Sequence, residues 1–205
     1  MKSIKRNGNL LLLRTSVSFF YEICSTSQKR TGSKNGVQYP RTSFKPRLQQ
    51  QCSFLVYMMK KLAEPLAKVL ANLGVTRGVA VCGADGLDEI TLTGATKVYE
   101  IRNGEITSYS ITPEQFGLKS CPLEELIGGT PEENAQITLD ILTGKETGAK
   151  RDVVLMNAGM SLYLGIDGIT LEDGIKKAKE LIESGKAYEK YEEFKQATQK
   201  NGAGQ

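Results

Sequence analysis

The dipeptide Asn103-Gly104 is the local feature that most constrains how this chain can fold. It separates residues 96–102 from residues 106–111, two short runs with the alternation and composition typical of β-strands. Asn-Gly favours the tight turn between antiparallel strands, because both residues accept a positive φ at low cost. The sequence therefore predicts a β-hairpin here, and the apolar run at residues 78–82 predicts a further, buried strand.

Helical patterns occur on both sides of these strands. Apolar residues at helical spacing between Leu62 and Leu73 predict a helix that ends at Gly74. Four more helices are predicted: from the capping box at Thr130 to Gly144, over the almost wholly apolar residues 152–164, from Thr170 to Gly185, and a last one with Tyr188, Tyr191 and Phe194 on one face. Strands mixed with helices in this way indicate an α/β fold.

Residues 1–55 differ from the rest of the chain in charge and pattern. They contain ten Lys or Arg residues and one acid, Glu22, whereas residues 56–205 contain 17 basic and 22 acidic residues. The segment has no sustained period, and we expect a basic region of low order. Three interpretations remain open: an organellar targeting peptide, a flexible tail, or residues that are not native to the fold. Nucleic-acid binding is not expected, because the segment lacks the interleaved aromatic platforms and the helical face that such modules use.

The cysteine and histidine content excludes several kinds of site. The four cysteines (Cys24, Cys52, Cys82 and Cys121) are far apart, and the chain contains no histidine. This pattern argues against a structural zinc site and against a disulfide framework, and it fits a cytoplasmic protein. No apolar run, Leu10 to Leu13 included, is long enough to span a membrane, so no membrane partner is expected. Without histidine, the commonest proton shuttle at neutral pH is absent, and we assign no catalytic residue.

Two adjacent acids, Asp88 and Glu89, follow a glycine-rich turn at the end of the predicted strand over residues 78–82. Mg²⁺ is usually held in proteins by one or two carboxylates together with substrate phosphate oxygens and water. The pair therefore forms a candidate Mg²⁺ site. The alternative is a solvated acidic turn, which is common after strands.

The turn before these acids contains Gly83, Asp85 and Gly86, which form a candidate substrate-binding loop. The two glycines allow the tight backbone path that brings the acids to a cleft. For Asp85 two roles remain open, because its side chain can serve the site or can form an Asx turn with its own backbone.

Ten residues from Val81 to Ile90, followed by Thr91-Leu-Thr-Gly94, resemble the signature of anthranilate phosphoribosyltransferases. The resemblance covers about residues 56–200, which correspond to the C-terminal part of a family protein, and leaves residues 201–205 as a tail. Further segments match in order: Val56-Tyr57, Glu64 to Ala67, Leu73-Gly74, Tyr109 to Leu118, Gly128-Gly129, Glu133 to Ala135, Arg151 to Ala158, and Gly185 to Ala187.

This resemblance implies both a fold and an activity. The family's large domain has a central mixed sheet flanked by helices, of which this chain supplies a part, so we expect a partial mixed sheet. The implied reaction transfers the phosphoribosyl group of phosphoribosyl pyrophosphate to anthranilate in tryptophan biosynthesis. The implied cofactor is Mg²⁺, bound by Asp88 and Glu89.

The chain also departs from the family pattern. The family's glycine-rich pyrophosphate loop and its Lys-His-Gly-Asn segment do not occur, and Cys82 stands where family members usually have histidine. We therefore expect a truncated fragment that is inactive alone, with a complementary family subunit as a candidate partner. The alternative is a non-catalytic binding or scaffold protein that retains the metal-binding turn.

Overall fold

The computed structural model describes residues 52–56, 60–87 and 89–202, which contain four strands and five α-helices. Residues 1–51 lie outside this part, so the interpretations of the basic segment stay predictions. The elements, in chain order, are β1 (Cys52–Val56), α1 (Lys60–Asn72), β2 (Arg77–Gly83), β3 (Thr96–Arg102), β4 (Glu105–Ile111), α2 (Pro131–Leu142), α3 (Ala149–Gly165), α4 (Leu171–Glu183) and α5 (Lys186–Gly202). Two short 3-10 helices, Pro113–Phe116 and Leu123–Leu126, lie between β4 and α2.

The four strands form one mixed sheet in the order β1-β2-β3-β4. Strand β1 is parallel to β2, with Val56 opposite Val81, and the other neighbours are antiparallel. The expected α/β class with a partial mixed sheet is confirmed. Strand β1 begins at Cys52, so the boundary that the sequence placed after residue 55 falls inside a strand.

The β3–β4 turn has the conformation that its sequence predicted. Asn103 has φ 49° and Gly104 has φ 87°, and Arg102 pairs with Glu105 across the turn. Two consecutive positive φ values define the turn type that matches the twist of antiparallel strands. The hairpin is thus determined locally, by two residues.

Helix α1 ends as predicted, since Gly74 has φ 87°, but it buries a different face. Ala63 and Ala67 are fully buried, and Leu70 packs with Val75 and Ile101. Small alanine side chains let the helix approach the sheet closely, and this places the larger apolar residues outside. Three residues of the predicted apolar stripe are therefore exposed: Leu62, Val69 and Leu73.

Helix α3 lies between the sheet and α4, which explains why it is apolar nearly all round. Met156 and Met160 pack with Val79 and Val98 of the sheet. On its other side, the helix packs in a second cluster formed mainly by side chains of α2, α3 and α4: Ile141, Leu142, Leu155, Ala158, Leu162, Ile175, Ala178 and Ile182. The prediction of a buried helix over residues 152–164 is confirmed.

The capping signals also behave as expected. The Thr130 hydroxyl accepts a hydrogen bond from the Glu133 amide at 3.3 Å, and the Glu133 carboxylate accepts one from the Thr130 amide at 2.7 Å. Thr170 and Asp173 form the same reciprocal pair at the start of α4. Within the residues that the structure describes, no helix has the length and apolarity needed to cross a membrane.

Glycines allow α3 and α4 to pack in direct contact. A Cβ at Gly174 would overlap the carbonyl oxygen of Gly159, and a Cβ at Gly159 would overlap Ile175. The two backbones therefore touch at a point where no side chain fits. This contact fixes the position of α3 and, through it, of everything that α3 holds.

We expect Gly174→Ala to lower the free energy of unfolding by about 1–3 kcal/mol, because the methyl group overpacks the contact between helices. Helix propensity alone would favour alanine by about 1 kcal/mol, so the two effects have opposite signs. Urea unfolding followed by circular dichroism measures the difference. Lys177→Ala, at an exposed position of α4, is the control. A Gly174→Ala protein as stable as the wild type contradicts the close contact.

A polar cluster lies on the sheet, around Glu100. This carboxylate is buried and accepts hydrogen bonds from Arg102 at 2.6 Å, from the Tyr163 hydroxyl at 2.7 Å and from the Tyr109 hydroxyl at 2.8 Å. Burial raises the pKa of Glu100, but the hydrogen bonds from Tyr163, Arg102 and Tyr109 outweigh it, so the pKa lies below its ordinary value. The cluster thus ties β3 and β4 to α3 through an ionised carboxylate.

We expect Glu100→Gln to lower the free energy of unfolding at pH 7 by about 1.5–3 kcal/mol, because hydrogen bonds to a charged group are lost. The lowered pKa of Glu100 stabilises the fold above the ordinary pKa of about 4.3. This contribution disappears as the pH falls through the lowered pKa. The difference from wild type should therefore shrink below about pH 4.3 in urea unfolding. Glu180→Gln, at an exposed position, is the control, and a difference that is constant with pH contradicts the assignment.

Candidate functional site

Strand β2 leads directly into the turn that contains the candidate site residues. The turn is closed at its base, where the Ala84 amide donates to the Ala95 carbonyl at 3.0 Å. Gly86 has φ 82° and its amide donates to the Gly83 carbonyl at 3.2 Å. Because residues with a side chain rarely adopt this φ, glycine is required at position 86.

Asp85 is the acceptor around which the turn is organised. One carboxylate oxygen accepts from the Leu87 amide at 3.0 Å, which is the Asx turn that the sequence allowed. The other accepts from the hydroxyls of Thr91 and Thr93, both at 2.5 Å. Burial raises the pKa of Asp85, but the hydrogen bonds from Thr91, Thr93 and Leu87 outweigh it, so the pKa lies below its ordinary value. An ionised Asp85 therefore links the two sides of the turn.

Gly83 is required by the position of this carboxylate. A Cβ at residue 83 would lie 2.5 Å from Oδ1 of Asp85 and 3.1 Å from Thr91. A side chain here would displace the carboxylate from its hydrogen bonds. Gly83 and Gly86 thus shape the turn for different physical reasons. At Gly83 a side chain would have no space, and at Gly86 the backbone has a positive φ.

Glu89 lies in the same turn, is buried with 7% of its surface exposed, and precedes the fully buried Ile90. The backbone of Ile90 is held by the side chain of Asn157, whose Oδ1 accepts from the Ile90 amide at 3.1 Å. The same side chain donates from Nδ2 to the Ile90 carbonyl at 2.9 Å. The acidic turn is therefore attached to helix α3.

The structure brings four of the five predicted site residues into one turn: Gly83, Asp85, Gly86 and Glu89. Asp88 lies outside the described residues, so its part in a metal site stays a prediction. Within the described part of the chain, no group of three or more His, Cys, Asp or Glu side chains is arranged to hold a metal ion. The donors that the turn offers are carboxylate oxygens, which fit Mg²⁺ in their chemistry.

Sequence reasoning missed three residues that shape the turn: Thr91, Thr93 and Asn157. The signal for Asn157 was present, because a buried asparagine in an almost wholly apolar helix needs hydrogen-bond partners. Cys82, at the end of β2, is 1% exposed, and its Sγ lies 3.5 Å from the Gly83 carbonyl. Cys82 is thus a buried residue of the strand that carries the turn.

The fold and this turn place the protein in a known class. A sequence model of the glycosyl transferase family, a/b domain, matches residues 45–188, and the chain belongs to this family. Within the family, its relatives are anthranilate phosphoribosyltransferases, as the sequence motifs indicated. The enzyme of Endomicrobium trichonymphae is 52% identical over 139 residues, which are 68% of this chain and 41% of the relative. That of Clostridium kluyveri is 51% identical over 135 residues, 66% of this chain and 40% of the relative.

Solved structures agree with the sequence relatives. The anthranilate phosphoribosyltransferase of Thermus thermophilus superposes with a TM-score of 0.61 and 39% identity, covering 67% of this chain and 40% of that one. A variant of the Saccharomyces cerevisiae enzyme with Mg bound gives a TM-score of 0.65 and 31% identity, covering 70% of this chain and 42% of that one. The chain thus spans about 40% of the length of the relatives that it matches.

We expect Asp85→Ala to lower the free energy of unfolding by about 1.5–3 kcal/mol, because three hydrogen bonds to a charged acceptor are lost. Amide hydrogen exchange at Leu87 should become faster by more than the global change in stability accounts for. Asp140→Ala, whose carboxylate accepts from a single side chain on the surface of α2, is the control. Unchanged exchange at Leu87 in Asp85→Ala contradicts the Asx turn.

Proposed function

We propose that this chain carries the metal-binding part of an anthranilate phosphoribosyltransferase. In this proposal Asp88 and Glu89 bind Mg²⁺, and the turn from Gly83 to Glu89 faces the diphosphate of phosphoribosyl pyrophosphate. The observation that carries it is the acidic turn itself, which Asp85 and Asn157 hold in one conformation, in a chain that is 52% identical to one of these enzymes over 139 residues.

Structures of a relative support the choice of ligands. The Saccharomyces cerevisiae enzyme has been solved in complex with PRPP and Mg, and also with 4-fluoroanthranilate. This chain is 31% identical to that enzyme over the superposed region. Substrates of the same kind, phosphoribosyl pyrophosphate and an anthranilate, are therefore the ones we propose for the complete site.

The turn contributes position and charge to the proposed reaction. The amine of anthranilate attacks C1 of the sugar and releases one of its protons to solvent. The bond from C1 to the diphosphate oxygen breaks with its electron pair going to that oxygen, and negative charge develops on the leaving diphosphate. When bound, Mg²⁺ would supply positive charge that stabilises this leaving group. Asp88 and Glu89 would hold the cation, Asp85 fixes the turn through Thr91 and Thr93, and none of these residues would need to move a proton.

Other parts of the catalytic site are proposed to come from a complementary family chain. The sequence contains no histidine, hence no Lys-His-Gly-Asn segment, and the glycine-rich pyrophosphate loop of the family does not occur in it. Positioning of both substrates accounts for much of the rate of such reactions. We therefore propose that this chain alone does not convert anthranilate.

Titration with Mg²⁺ followed by amide NMR tests the metal site. In the wild type, we expect amide resonances of residues 83–91 to shift, and we expect the double variant Asp88→Asn, Glu89→Gln to lose these shifts because both carboxylates are gone. The matched control is Glu124→Gln, Glu125→Gln, which neutralises another adjacent acid pair, exposed on a 3-10 helix. Equal shifts in all three proteins contradict the proposal.

Mixing experiments test the need for a second chain. Phosphoribosyl anthranilate formation should be absent with this chain alone. It should appear when a polypeptide that carries the N-terminal half of a relative is added, and it should disappear with Asp88→Asn, Glu89→Gln. Turnover by this chain alone contradicts the proposed division. Mg²⁺ binding without turnover in any mixture supports the non-catalytic alternative.

A further inference from the structure

The side chain of Asn157 forms a two-way contact with a residue 67 positions earlier in the chain. Its Oδ1 accepts from the Ile90 amide at 3.1 Å, and its Nδ2 donates to the Ile90 carbonyl at 2.9 Å. Asn157 is only 3% exposed and Ile90 is fully buried. A primary amide is one of the few side chains that offers a donor and an acceptor together, so it can replace a neighbouring strand as the partner of both backbone groups.

This contact acts on Glu89 through the peptide bond. The Ile90 nitrogen belongs to the same rigid plane as the carbonyl group and the Cα of Glu89. A fixed direction of the Ile90 N–H therefore fixes the orientation of the peptide plane that ends at the Cα of Glu89, the atom that carries the Glu89 side chain. Asn157 thus acts on Glu89 through the backbone of Ile90.

Asn157 is itself fixed by the helix that carries it. Its Nδ2 also donates to the Val153 carbonyl at 2.9 Å, which orients the side chain along α3. Helix α3 is in turn positioned by the sheet on one side and by the glycine contact with α4 on the other. The position of the acidic turn is therefore set by the core of the domain.

We propose that Asn157 is a positioning residue for metal binding, which holds the Glu89 backbone in the orientation that the cation requires. This proposal rests on the proposed function of the turn. Residues that orient metal ligands from outside the coordination shell typically change metal affinity by about 10- to 100-fold when they are replaced. Asn157 is expected to behave in this way through its hydrogen bonds to Ile90.

The test measures Mn²⁺ affinity of the full chain by electron paramagnetic resonance, with Mn²⁺ used in place of Mg²⁺. We expect Asn157→Ala to bind Mn²⁺ about 10- to 100-fold more weakly than the wild type. Asn157→Ser, whose hydroxyl can replace one of the two hydrogen bonds, should show a smaller loss and serves if the alanine variant does not fold. Amide exchange at Ile90 should become faster in both variants.

Two further proteins separate a positioning role from a loss of stability. Leu70→Ala removes a buried side chain of α1 from a cluster that contains neither Ile90 nor any residue of α3, and it should lower the urea midpoint of unfolding. Its Mn²⁺ affinity should equal that of the wild type at a temperature where all variants are folded. Glu89→Gln tests the metal site itself and should lose most of the affinity.

Each outcome decides between the two proposals. If Glu89→Gln loses affinity while both Asn157 variants bind as the wild type does, the positioning role is wrong and the metal site stands. If Leu70→Ala loses as much affinity as Asn157→Ala, the effect is one of stability, and the positioning role is again wrong. A wild-type chain that does not bind Mn²⁺ overturns the metal site and the positioning role together.

Discussion

The hydrogen bonds that Asp85 accepts are the interaction on which the candidate site depends. A carboxylate in a glycine-rich turn can bind a cation or can bind its own chain, and here its two oxygens accept from Leu87, Thr91 and Thr93. Three donors hold Asp85 in its ionised form and join the start of the turn to its end. Asp85 therefore builds the turn, and the candidate cation ligands are the two acids that the sequence indicated, Asp88 and Glu89.

The turn is placed by a chain of contacts that starts in the core. Gly159 and Gly174 allow α3 and α4 to touch, α3 packs under the sheet, and Asn157 on α3 holds the backbone of Ile90. A change at the contact between α3 and α4 is therefore transmitted to the acidic turn through the packed residues of α3. In this domain, stability and the geometry of the site have the same physical origin.

The sequence predicted those features that local residues determine. The Asn103-Gly104 turn, the caps at Thr130 and Thr170, and the strand that ends at Gly83 all follow from preferences of single residues or short motifs. The buried face of α1 did not follow, because close approach to the sheet selects Ala63 and Ala67 over the larger residues of the same helix.

The site was predictable to a similar extent. The motif located Gly83, Asp85, Gly86 and Glu89 in one turn, but periodicity cannot reveal that the Asp85 carboxylate accepts hydrogen bonds from residues of the same turn. It also cannot pair Asn157 with Ile90, since the two are 67 residues apart and meet only when α3 packs against the sheet. Contacts of this kind depend on the complete fold.

Paramagnetic broadening by Mn²⁺ tests the central claim most directly, because it maps a bound cation by distance along the whole chain. Substoichiometric Mn²⁺ should broaden the amide resonances of residues 83–91 first and leave those of the exposed acid pair Glu124-Glu125 sharp. Uniform broadening, or broadening centred on another acidic stretch, contradicts the assignment of this turn as the metal-binding part of the protein.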